Sequence, residues 1–339
     1  MNERVSVIIP NWNGARFLPV CLESLRRQTY RDFITYVVDN GSVDGSLELL
    51  RQNFPEVVVV GFPENRGFSA AINAGIAASR GEYLVALNND TEADPRWIEE
   101  LVRALDTHTQ IGFCASKVLD FKHRTLIDSF GDGYTRLGLA FKVGALEQDD
   151  GRFDAPMEVF SACAAASIYR RSMLHEVGVF DEDFFCYMED VDLGIRARLA
   201  GYRCLAVPSA RVYHIGAAST GGGPTEFSVH MTTKNLFNVM IKNMPISLLA
   251  AMLPLSLAAQ AFLVTRALFL PSGAKLRPNL RGYWRGLAAA IRQAPTMLRK
   301  RCDVQRRQCI TARELVALIR NSERQRSSVA RRPSDNTGR

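Results

Sequence analysis

The sequence lacks the features that identify several common classes of protein. Its seven cysteines are scattered and odd in number, and no two stand in C-x-x-C spacing. This pattern argues against a disulfide framework and against a cysteine-based zinc site. No internal repeat is apparent, and the apolar run after Met1 is too short for the core of an export signal. We therefore expect a protein of the reducing cytosol without an export signal.

Long apolar runs are also scarce, and the main one begins at Met244. The 22 residues of Met244–Thr265 carry no charge but include two prolines. Their length would allow one membrane-spanning helix. However, basic residues stand on both sides, namely Lys234, Lys242, Arg266, Lys275 and Arg277. We therefore expect two short helices, broken at Pro254, that lie on or dip into the cytoplasmic leaflet. A buried helix pair or a homo-oligomer interface is the alternative.

Acidic residues are scarce at the C-terminal end. Residues 271–339 contain 17 Lys and Arg but only 4 Asp and Glu, a balance of +13, whereas the first 270 residues carry −6 of the net charge of +7. We expect 286–339 to form a basic, partly disordered tail. An anionic membrane surface and nucleic acid are the partners that such charge favours. No nucleic-acid recognition motif accompanies the charge, so no nucleic-acid partner is expected.

The first half of the chain alternates between strand and helix patterns. Strands are predicted at 5–9, 34–38, 57–60 and 83–87, with helices at 17–28, 42–53 and 68–79 between them. This alternation predicts an α/β fold with a Rossmann-like, mainly parallel sheet flanked by helices. Ligands of such sheets bind at the carboxyl ends of the strands. Pro10, Asp39 and Asn88-Asn89-Asp90 stand at those ends.

The second half of the chain is less regular. A helix is predicted at 97–105, a turn at Gly131-Asp132-Gly133 and a buried strand over Ser161–Tyr169. A clear helix follows at Met188–Leu199. Its acidic residues lie at the start and its arginines near the end, as the helix dipole favours.

Two acidic motifs have the composition of a functional site. Asn88-Asn89-Asp90 places one carboxylate at a strand end, and Mg²⁺ needs only one or two carboxylates when substrate phosphates complete its shell. Glu189-Asp190-Val191-Asp192 places three acids beside aromatic residues. Mutual repulsion and apolar neighbours would raise the pKa of a carboxyl there and suit it to act as a base. The structural alternatives are a turn or cap for the first motif and helix-dipole stabilisation for the second.

A single histidine follows these motifs. His214 comes after the predicted strand Ala206–Tyr213 and before Ser219–Pro224, a glycine-rich loop that suits a lid over a charged leaving group. An isolated histidine is more often structural than a metal ligand. Both interpretations stay open on these residues alone.

Taken together, the motifs resemble glycosyltransferase family 2, especially its rhamnosyltransferase-like branch, which acts on lipid-linked cell-surface glycans. The likeness covers roughly Val5 to Thr220. No single motif is specific, but their order along the chain is. The matching segments are Val5–Gly14, Val37–Ser42, Asp44–Ser46, Glu64–Phe68, Asn73–Gly75, Leu87–Thr91, Gly178–Glu182, Glu189–Leu193 and His214.

The resemblance implies a GT-A fold and a division of the chain. Residues 1–95 would form the nucleotide-sugar half and 96–230 the acceptor half, followed by a membrane-associating segment at 231–285 and the tail at 286–339. The nucleotide-sugar donor would meet one set of residues at the sheet edge. These residues are Pro10, Asn13, Asp39, Asn65 with the turn at Gly67, Asn88 and Asp90, of which Asp39 would contact the nucleobase.

The resemblance also implies roles for the acidic residues. Asp90 matches the last residue of the family's metal-binding Asp-x-Asp motif, whose first position is here Asn88. His214 matches a position that supplies a second metal ligand. Asp190 resembles the catalytic base, and Glu189 its neighbour on the acceptor side.

We therefore expect an inverting, metal-assisted glycosyltransferase at the cytoplasmic face of the inner (plasma) membrane. The likeness favours dTDP-L-rhamnose as donor, Mg²⁺ or Mn²⁺ as cofactor and a polyprenyl-diphosphate-linked saccharide as acceptor. A UDP-sugar-dependent transferase is the alternative. A sugar nucleotidyltransferase would carry a glycine-rich basic loop where Asn11–Gly14 stands. A non-catalytic membrane scaffold would not need the intact Glu189-Asp190 pair.

Overall fold

The computed structural model describes residues 3–216, 225–268 and 279–330. The lid predicted at Ser219–Pro224 lies outside the described residues. The strands are β1 (Val5–Asn11), β2 (Phe33–Asn40), β3 (Val58–Phe62), β4 (Tyr83–Leu87), β5 (Thr91–Ala93), β6 (Ile111–Asp120), β7 (Ile127–Ser129), β8 (Asp132–Tyr134), β9 (Ala140–Lys142), β10 (Met157–Val159), β11 (Ala166–Arg170) and β12 (Arg203–His214).

The helices alternate with these strands and then dominate the C-terminal part. They are α1 (Leu18–Arg26), α2 (Ser46–Asn53), α3 (Phe68–Ala78), α4 (Trp97–Thr107), α5 (Arg171–Val177), α6 (Glu189–Leu199), α7 (Glu226–Asn243), α8 (Ile246–Leu268), α9 (Leu280–Arg306) and α10 (Ala312–Ala330). A short 3₁₀ turn occupies Glu182–Phe184.

One large mixed sheet forms the centre of the molecule. Its strand order is β10-β12-β6-β11-β4-β1-β2-β3. Outside this order, β5 pairs with β12 and β7 pairs with β6. The pairs β1–β2, β1–β4, β2–β3 and β6–β12 are parallel, whereas β11 runs antiparallel between β4 and β6. The prediction of a mainly parallel α/β sheet is confirmed. The inserted β11 joins the two halves of the sheet.

Helices cover both faces of this sheet. Successive strand residues point to opposite faces, so Leu22 and Trp97 help to cover one face while Ile72 and Leu193 help to cover the other. Each large apolar side chain removed from water contributes roughly 1.5–3 kcal/mol. The carboxyl ends of β1, β2 and β4 therefore form a rigid edge for a site.

The stretch predicted as one strand over Ser161–Tyr169 is only half strand. Regular pairing begins at Ala166, while Ser161 exchanges backbone hydrogen bonds with Asp132 of β8. The predicted turn at Gly131–Gly133 is likewise partly strand, because β8 starts at Asp132. Residues 162–165 instead form a buried connection that lies beside the start of α6.

The apolar segment forms one helix rather than the two that the sequence predicts. Helix α8 continues through Pro254, because an internal proline removes one backbone hydrogen bond and bends a helix without necessarily ending it. Within the described residues, only 246–266 is long and apolar enough to cross a membrane, judged by length and composition alone. Its exposed side chains include Ile246, Leu255 and Phe262.

Residues 280–330 pack on the body, so the tail predicted at 286–339 is folded over most of its length. Gly282 and Gly286 bring α9 so close to α7 that a Cβ atom at either would lie about 2.6 Å or less from a carbonyl oxygen of α7. Ser322 of α10 accepts a hydrogen bond from the backbone N–H of Tyr134 at 2.9 Å. Small and apolar residues at helical spacing face inward and the arginines face out. Residues 331–339 lie outside the described part.

Candidate active site

The end of β1 and the end of β2 are joined by a network of polar side chains. Asn11 Nδ2 donates to Asp39 Oδ1 at 3.1 Å, and the backbone N–H of Ser42 donates to Asp39 Oδ2 at 3.0 Å. Asn13, in the left-handed region at φ 50°, donates its N–H to the Ser42 hydroxyl. Together with Pro10, these residues form the first wall of the sheet edge, as the sequence predicts for a nucleoside site.

A second wall lies beyond β3 and reaches the other half of the chain. Asn40 Nδ2 donates to Asn65 Oδ1 and to the Gly67 carbonyl, both at 3.0 Å, and the Gly67 N–H donates to Asn65 Oδ1. Gly67 has φ 88°, and a Cβ there would lie 2.6 Å from Phe185. Glycine is needed at this position for both reasons. The Asn65 turn thus contacts the segment that precedes α6.

The motif at the end of β4 meets His214 at the end of β12. His214 Nε2 lies 3.2 Å from Asp90 Oδ1 and 3.3 Å from Asn88 Nδ2, while its Nδ1 lies 2.9 Å from Asp128 Oδ2. Asn89 turns the other way and donates to Asn11 at 2.8 Å. The residues that the sequence predicts as metal ligands, Asp90 and His214, therefore converge.

These groups fit a divalent cation. A carboxylate and an imidazole point at one position, and Asp128 holds the second ring nitrogen of His214, as outer-shell carboxylates do for metal-bound histidines.

Burial lowers the pKa of His214, but its hydrogen bonds to Asp128 and Asp90 outweigh burial and raise the pKa to about 9. The hydrogen bond from His214 and the charge of Lys142 outweigh burial at Asp128 and lower its pKa to about 2. A cation held by His214 would therefore displace its ring proton.

Asp190 lies at the start of α6 and is partly buried. Its Oδ2 accepts from the Ala164 N–H at 3.1 Å, and its Oδ1 accepts from the Val191 N–H at 2.8 Å. The next residue, Ala165, accepts a hydrogen bond from the Asn88 N–H at 2.9 Å. The buried connection at 162–165 therefore joins Asp190 directly to the Asn88–Asp90 motif.

Two further carboxyl groups crowd Asp190. A ligand atom of Asp132, one of Cys163 and one of Asp190 lie within 4.8 Å of one another, and Glu189 is buried beside them. Burial, followed by the charge of Asp190, raises the pKa of Asp132 and of Glu189 well above the usual value. Burial also raises the pKa of Asp190, but its backbone hydrogen bonds and Lys142 oppose that rise. Asp190 is therefore the group that carries the negative charge.

Asp132→Asn tests this distribution of protons. When the pKa of a carboxyl group is higher in the folded than in the unfolded chain, the folded chain loses stability as the pH rises from the unfolded-state pKa towards the folded-state pKa. Asparagine stays neutral, so we expect the variant to have a higher Tm than the wild type, by a margin that grows as the pH rises above the ordinary aspartate pKa of about 4. Its turnover should remain of wild-type order. Equal Tm values throughout, or a pH–rate profile displaced to lower pH, would show that Asp132 is ionised.

The segment before α6 is strained. Phe185, Tyr187 and Met188 have φ values of 63°, 66° and 68°, a region that costs roughly 1–2 kcal/mol for each residue with a Cβ. Asn235 of α7 holds the segment, because its Nδ2 lies 2.7–2.9 Å from the carbonyl oxygens of Phe184, Cys186 and Tyr187. Helix α7 therefore holds in place the segment from which α6, and with it Asp190, starts.

The third acid of the motif has a structural position. Asp192 is fully buried and accepts from Arg196 at 2.9 Å, Lys242 at 2.8 Å and Asn243 at 2.8 Å. Burial raises the pKa of Asp192, but Lys242 and Arg196 outweigh it and lower the pKa. Breaking a buried pair of this kind costs about 3–5 kcal/mol. Asp192 thus holds α6 on α7, which leaves Glu189 and Asp190 for the site.

Sequence reasoning missed Asp128, Asp132, Lys142, Cys163 and Asn235. They come from short strands, a connection and a distant helix, where no periodic pattern or motif marks them. The one available signal is Asp132 between two glycines, where Gly131 has φ 90° and a Cβ on Gly133 would collide with Phe141.

Comparisons with known proteins identify the family of the chain. The family model described as Glycosyl transferase family 2 matches residues 6–178. Over 265 residues the chain is 28% identical to N-acetylglucosaminyl-diphospho-decaprenol L-rhamnosyltransferase of Mycobacterium tuberculosis, with 70% of this chain and 84% of that protein covered.

Two solved structures share the fold. One is the mannosyltransferase PcManGT from Pyrobaculum calidifontis in complex with GDP-Man and Mn²⁺, at 17% identity and a TM-score of 0.53, covering 90% of this chain and 85% of that one. The other is GalNAc-T7 with UDP, GalNAc and Mn²⁺, at 16% identity and a TM-score of 0.60, covering 87% of this chain and 56% of that one.

Proposed function

The chain belongs to glycosyltransferase family 2, and from this premise we propose that it transfers a sugar from a nucleotide-sugar donor to a hydroxyl of a lipid-linked glycan, with inversion at the anomeric carbon. The observation that carries the proposal is the link between the two acidic motifs. The Ala164 N–H donates a hydrogen bond to the Asp190 carboxylate, and the Ala165 carbonyl accepts one from the Asn88 N–H. The proposed general base and the proposed diphosphate site are thus held by the same buried connection, residues 162–165, and an in-line displacement requires such fixed relative positions.

Asp190 is the proposed general base. Its carboxylate takes the proton of the acceptor hydroxyl while that oxygen attacks the anomeric carbon and the bond to the diphosphate breaks. Its raised pKa strengthens it as a base. Glu189 is buried, its Oε2 has no hydrogen-bond partner among the described residues, and its pKa is raised further. We assign it to the acceptor side as a neutral neighbour rather than as the base.

The donor is proposed to lie along the edge of the sheet. Asp39 and Asn13 would contact the nucleoside, and the Asn65–Gly67 turn would contact the donor beside Phe185. Asp90 and His214 would hold Mg²⁺ or Mn²⁺, with Asn88 close by. A bound divalent cation supplies positive charge that neutralises the departing diphosphate.

The proposed donor is dTDP-L-rhamnose, from which L-rhamnose is transferred; the 28% identity to a rhamnosyltransferase supports this choice. The test is a thermal-shift and hydrolysis screen with dTDP-rhamnose, UDP-glucose, UDP-galactose, UDP-N-acetylglucosamine and GDP-mannose, each with Mg²⁺ or Mn²⁺. We expect the largest stabilisation and hydrolysis with dTDP-rhamnose. A response to a UDP-sugar alone would favour the alternative donor. No response to any nucleotide sugar would contradict the function itself.

The acceptor is proposed to be a polyprenyl-diphosphate-linked saccharide at the cytoplasmic face of the plasma membrane. The rhamnosyltransferase relative is named for a decaprenol-linked substrate. The exposed apolar surface of α8 and the basic residues that follow it support contact with an anionic membrane.

Acidic substitutions in α8 test the membrane contact. Deleting the chain from Met244 onward would also remove α9 and α10, which pack on the body. Leu257→Glu with Phe262→Glu changes exposed side chains only. A charge near the centre of a membrane helix costs about 2.5–3.5 kcal/mol, or roughly 10²-fold in partition. We therefore expect a clearly larger share of the variant than of the wild type in the soluble fraction. Val20→Glu, at an exposed position of α1, should remain with membranes. Unchanged pelleting of the double variant would contradict the proposal.

A further inference from the structure

Helix α9 carries an exposed apolar ridge. Trp284, Ile291 and Leu298 are 57%, 67% and 48% exposed. Residues seven apart lie on nearly the same side of a helix, so the three side chains form one line. Cys302, also exposed, continues the line close to the C-terminal end of α9. Such an aligned ridge differs from the scattered single apolar residues of an ordinary protein surface.

Arginines flank this ridge. Arg281, Arg285, Arg292 and Arg299 are all exposed and lie along one side of it. Glu226 pairs with Arg281 and Arg285 at 3.5 Å and 2.7 Å, while Arg292 and Arg299 form no ion pair within the described residues. The strip therefore keeps most of its positive charge. An apolar ridge with an aromatic residue and a basic border is the pattern of a helix that lies in a membrane interface.

The ridge begins beside the proposed active site. The close contact between Gly282 and the Glu226 carbonyl places the first turn of α9 against the first turn of α7. The next residue, Phe227, is 48% exposed, and its ring centroid lies 6.2 Å from that of Phe185. Phe185 in turn contacts Gly67 and precedes α6. Aromatic side chains therefore lie between the N-terminal end of the ridge and the acceptor side of the site.

We propose that the outer face of α9 lies flat on an anionic lipid surface, with the Phe227 and Phe185 edge of the site next to the membrane. The arginine border favours negatively charged lipid over a second copy of the chain, because two such borders would repel each other. This inference rests on the proposed function, since it explains how a lipid-linked acceptor reaches Asp190 without leaving the bilayer. Arg285 and Arg292 would contact lipid phosphates while Trp284 enters the interface.

The chain has two native reporters for this face. Cys302 lies on the ridge, whereas Cys309 lies beyond the end of α9 and also is exposed. The full chain is treated with a bulky, membrane-impermeant maleimide, alone and with vesicles of equal parts phosphatidylglycerol and phosphatidylcholine. Peptide mass spectrometry measures the modification rate at each cysteine, and Cys302→Ser and Cys309→Ser confirm the assignment.

We expect the anionic vesicles to slow modification of Cys302 about tenfold or more while Cys309 reacts as before. Pure phosphatidylcholine should protect Cys302 less. Replacing Arg285, Arg292 and Arg299 by Gln should lower the affinity for the anionic vesicles by about fivefold for each charge removed, so that more lipid is needed for the same protection. Equal rates at Cys302 with and without vesicles would overturn the proposal. Protection without vesicles that grows with protein concentration would also overturn it, in favour of a second copy on the ridge.

A ridge variant separates this proposal from the proposed function. Trp284→Ser with Ile291→Ser and Leu298→Ser changes exposed side chains only. We expect it to slow transfer to a lipid-linked acceptor in vesicles while hydrolysis of the soluble donor stays at the wild-type rate. Equal transfer by the variant and the wild type would contradict the role of the ridge. Absence of donor hydrolysis in both proteins would contradict the glycosyltransferase assignment but leave the Cys302 result standing.

Discussion

Asp190→Asn is expected to lower kcat by about 10²- to 10⁴-fold, the usual contribution of a general base, while donor affinity stays at the wild-type value. Asparagine has nearly the same shape, and its oxygen still accepts one of the two backbone hydrogen bonds that Asp190 receives from Ala164 and Val191. The acceptor proton, however, has no carboxylate to receive it. The loss should therefore appear in kcat rather than in KM, with donor affinity measured separately by thermal shift.

The two neighbouring acids sharpen this test. Glu189 and Asp132 are harder to ionise than Asp190, because burial and then the charge of Asp190 raise the pKa of each well above the usual value. Glu189→Gln should therefore lose less activity than Asp190→Asn. Asp303→Asn, at an exposed position of α9, serves as a surface control. Near-normal turnover in Asp190→Asn, or a larger loss in Glu189→Gln, would assign the base elsewhere.

Asp90→Ala is expected to abolish most of the Mn²⁺-dependent affinity for the nucleotide-sugar donor. Loss of an outer-shell partner of a metal site typically costs about 10- to 100-fold, and loss of a ligand should cost at least that. A ligand at a hundred times its Kd stabilises the folded chain by about 2.7 kcal/mol. The rise in Tm that donor and Mn²⁺ produce together in the wild type should largely disappear.

The controls for Asp90→Ala separate metal binding from stability. Asp90→Asn keeps the shape next to His214, and Glu92→Ala removes a carboxylate of β5 that pairs with Arg124 on the surface. The first should behave like Asp90→Ala and the second like the wild type. Unchanged metal-dependent donor affinity in both Asp90 variants would exclude Asp90 as the metal residue.

The pH dependence of metal binding follows from His214. Its pKa of about 9 means that the ring is protonated at neutral pH in the metal-free protein. A cation competes with that proton, so the apparent affinity for Mn²⁺ should rise with pH up to about 9 and level off above it. Titration calorimetry in buffers of different ionisation enthalpy should detect proton release on binding. Binding without proton release would show that His214 is not a ligand.

Much of the fold could be predicted from local patterns. The strand over Tyr83–Leu87 and the helix that starts at Phe68 are found within a residue of their predicted ends. Buried parallel strands are short apolar runs and surface helices show a 3.6-residue period, so both leave a signature in a few neighbouring residues. The placement of Pro10, Asp39 and Asp90 at one edge then follows from the direction of parallel strands.

Local patterns failed where the surroundings decide the structure. Pro254 was expected to divide α8, but the structure has a continuous helix there. The basic tail was expected to be partly disordered, but most of it forms two packed helices, while residues 331–339 lie outside the described part. Neither a proline inside a helix nor a surplus of arginine settles the outcome by itself. In α9 it is settled by Gly282 and Gly286, whose lack of a side chain allows the close approach to α7.

The sequence by itself determined the α/β order of elements, the family and the acidic motifs, because each of these depends on residues close together in the chain. The family resemblance proposed Asp190 as the base, and only the tertiary structure supplied a physical reason to choose it over Glu189 and Asp192. That choice depends on partners far away in sequence: Asp192 is held by Lys242 and Asn243, Asp190 is joined to Asn88 through Ala164 and Ala165, and Glu189 is buried without a partner for its Oε2 among the described residues. The charge on a carboxyl group is set by what surrounds it, and folding is what assembles those surroundings.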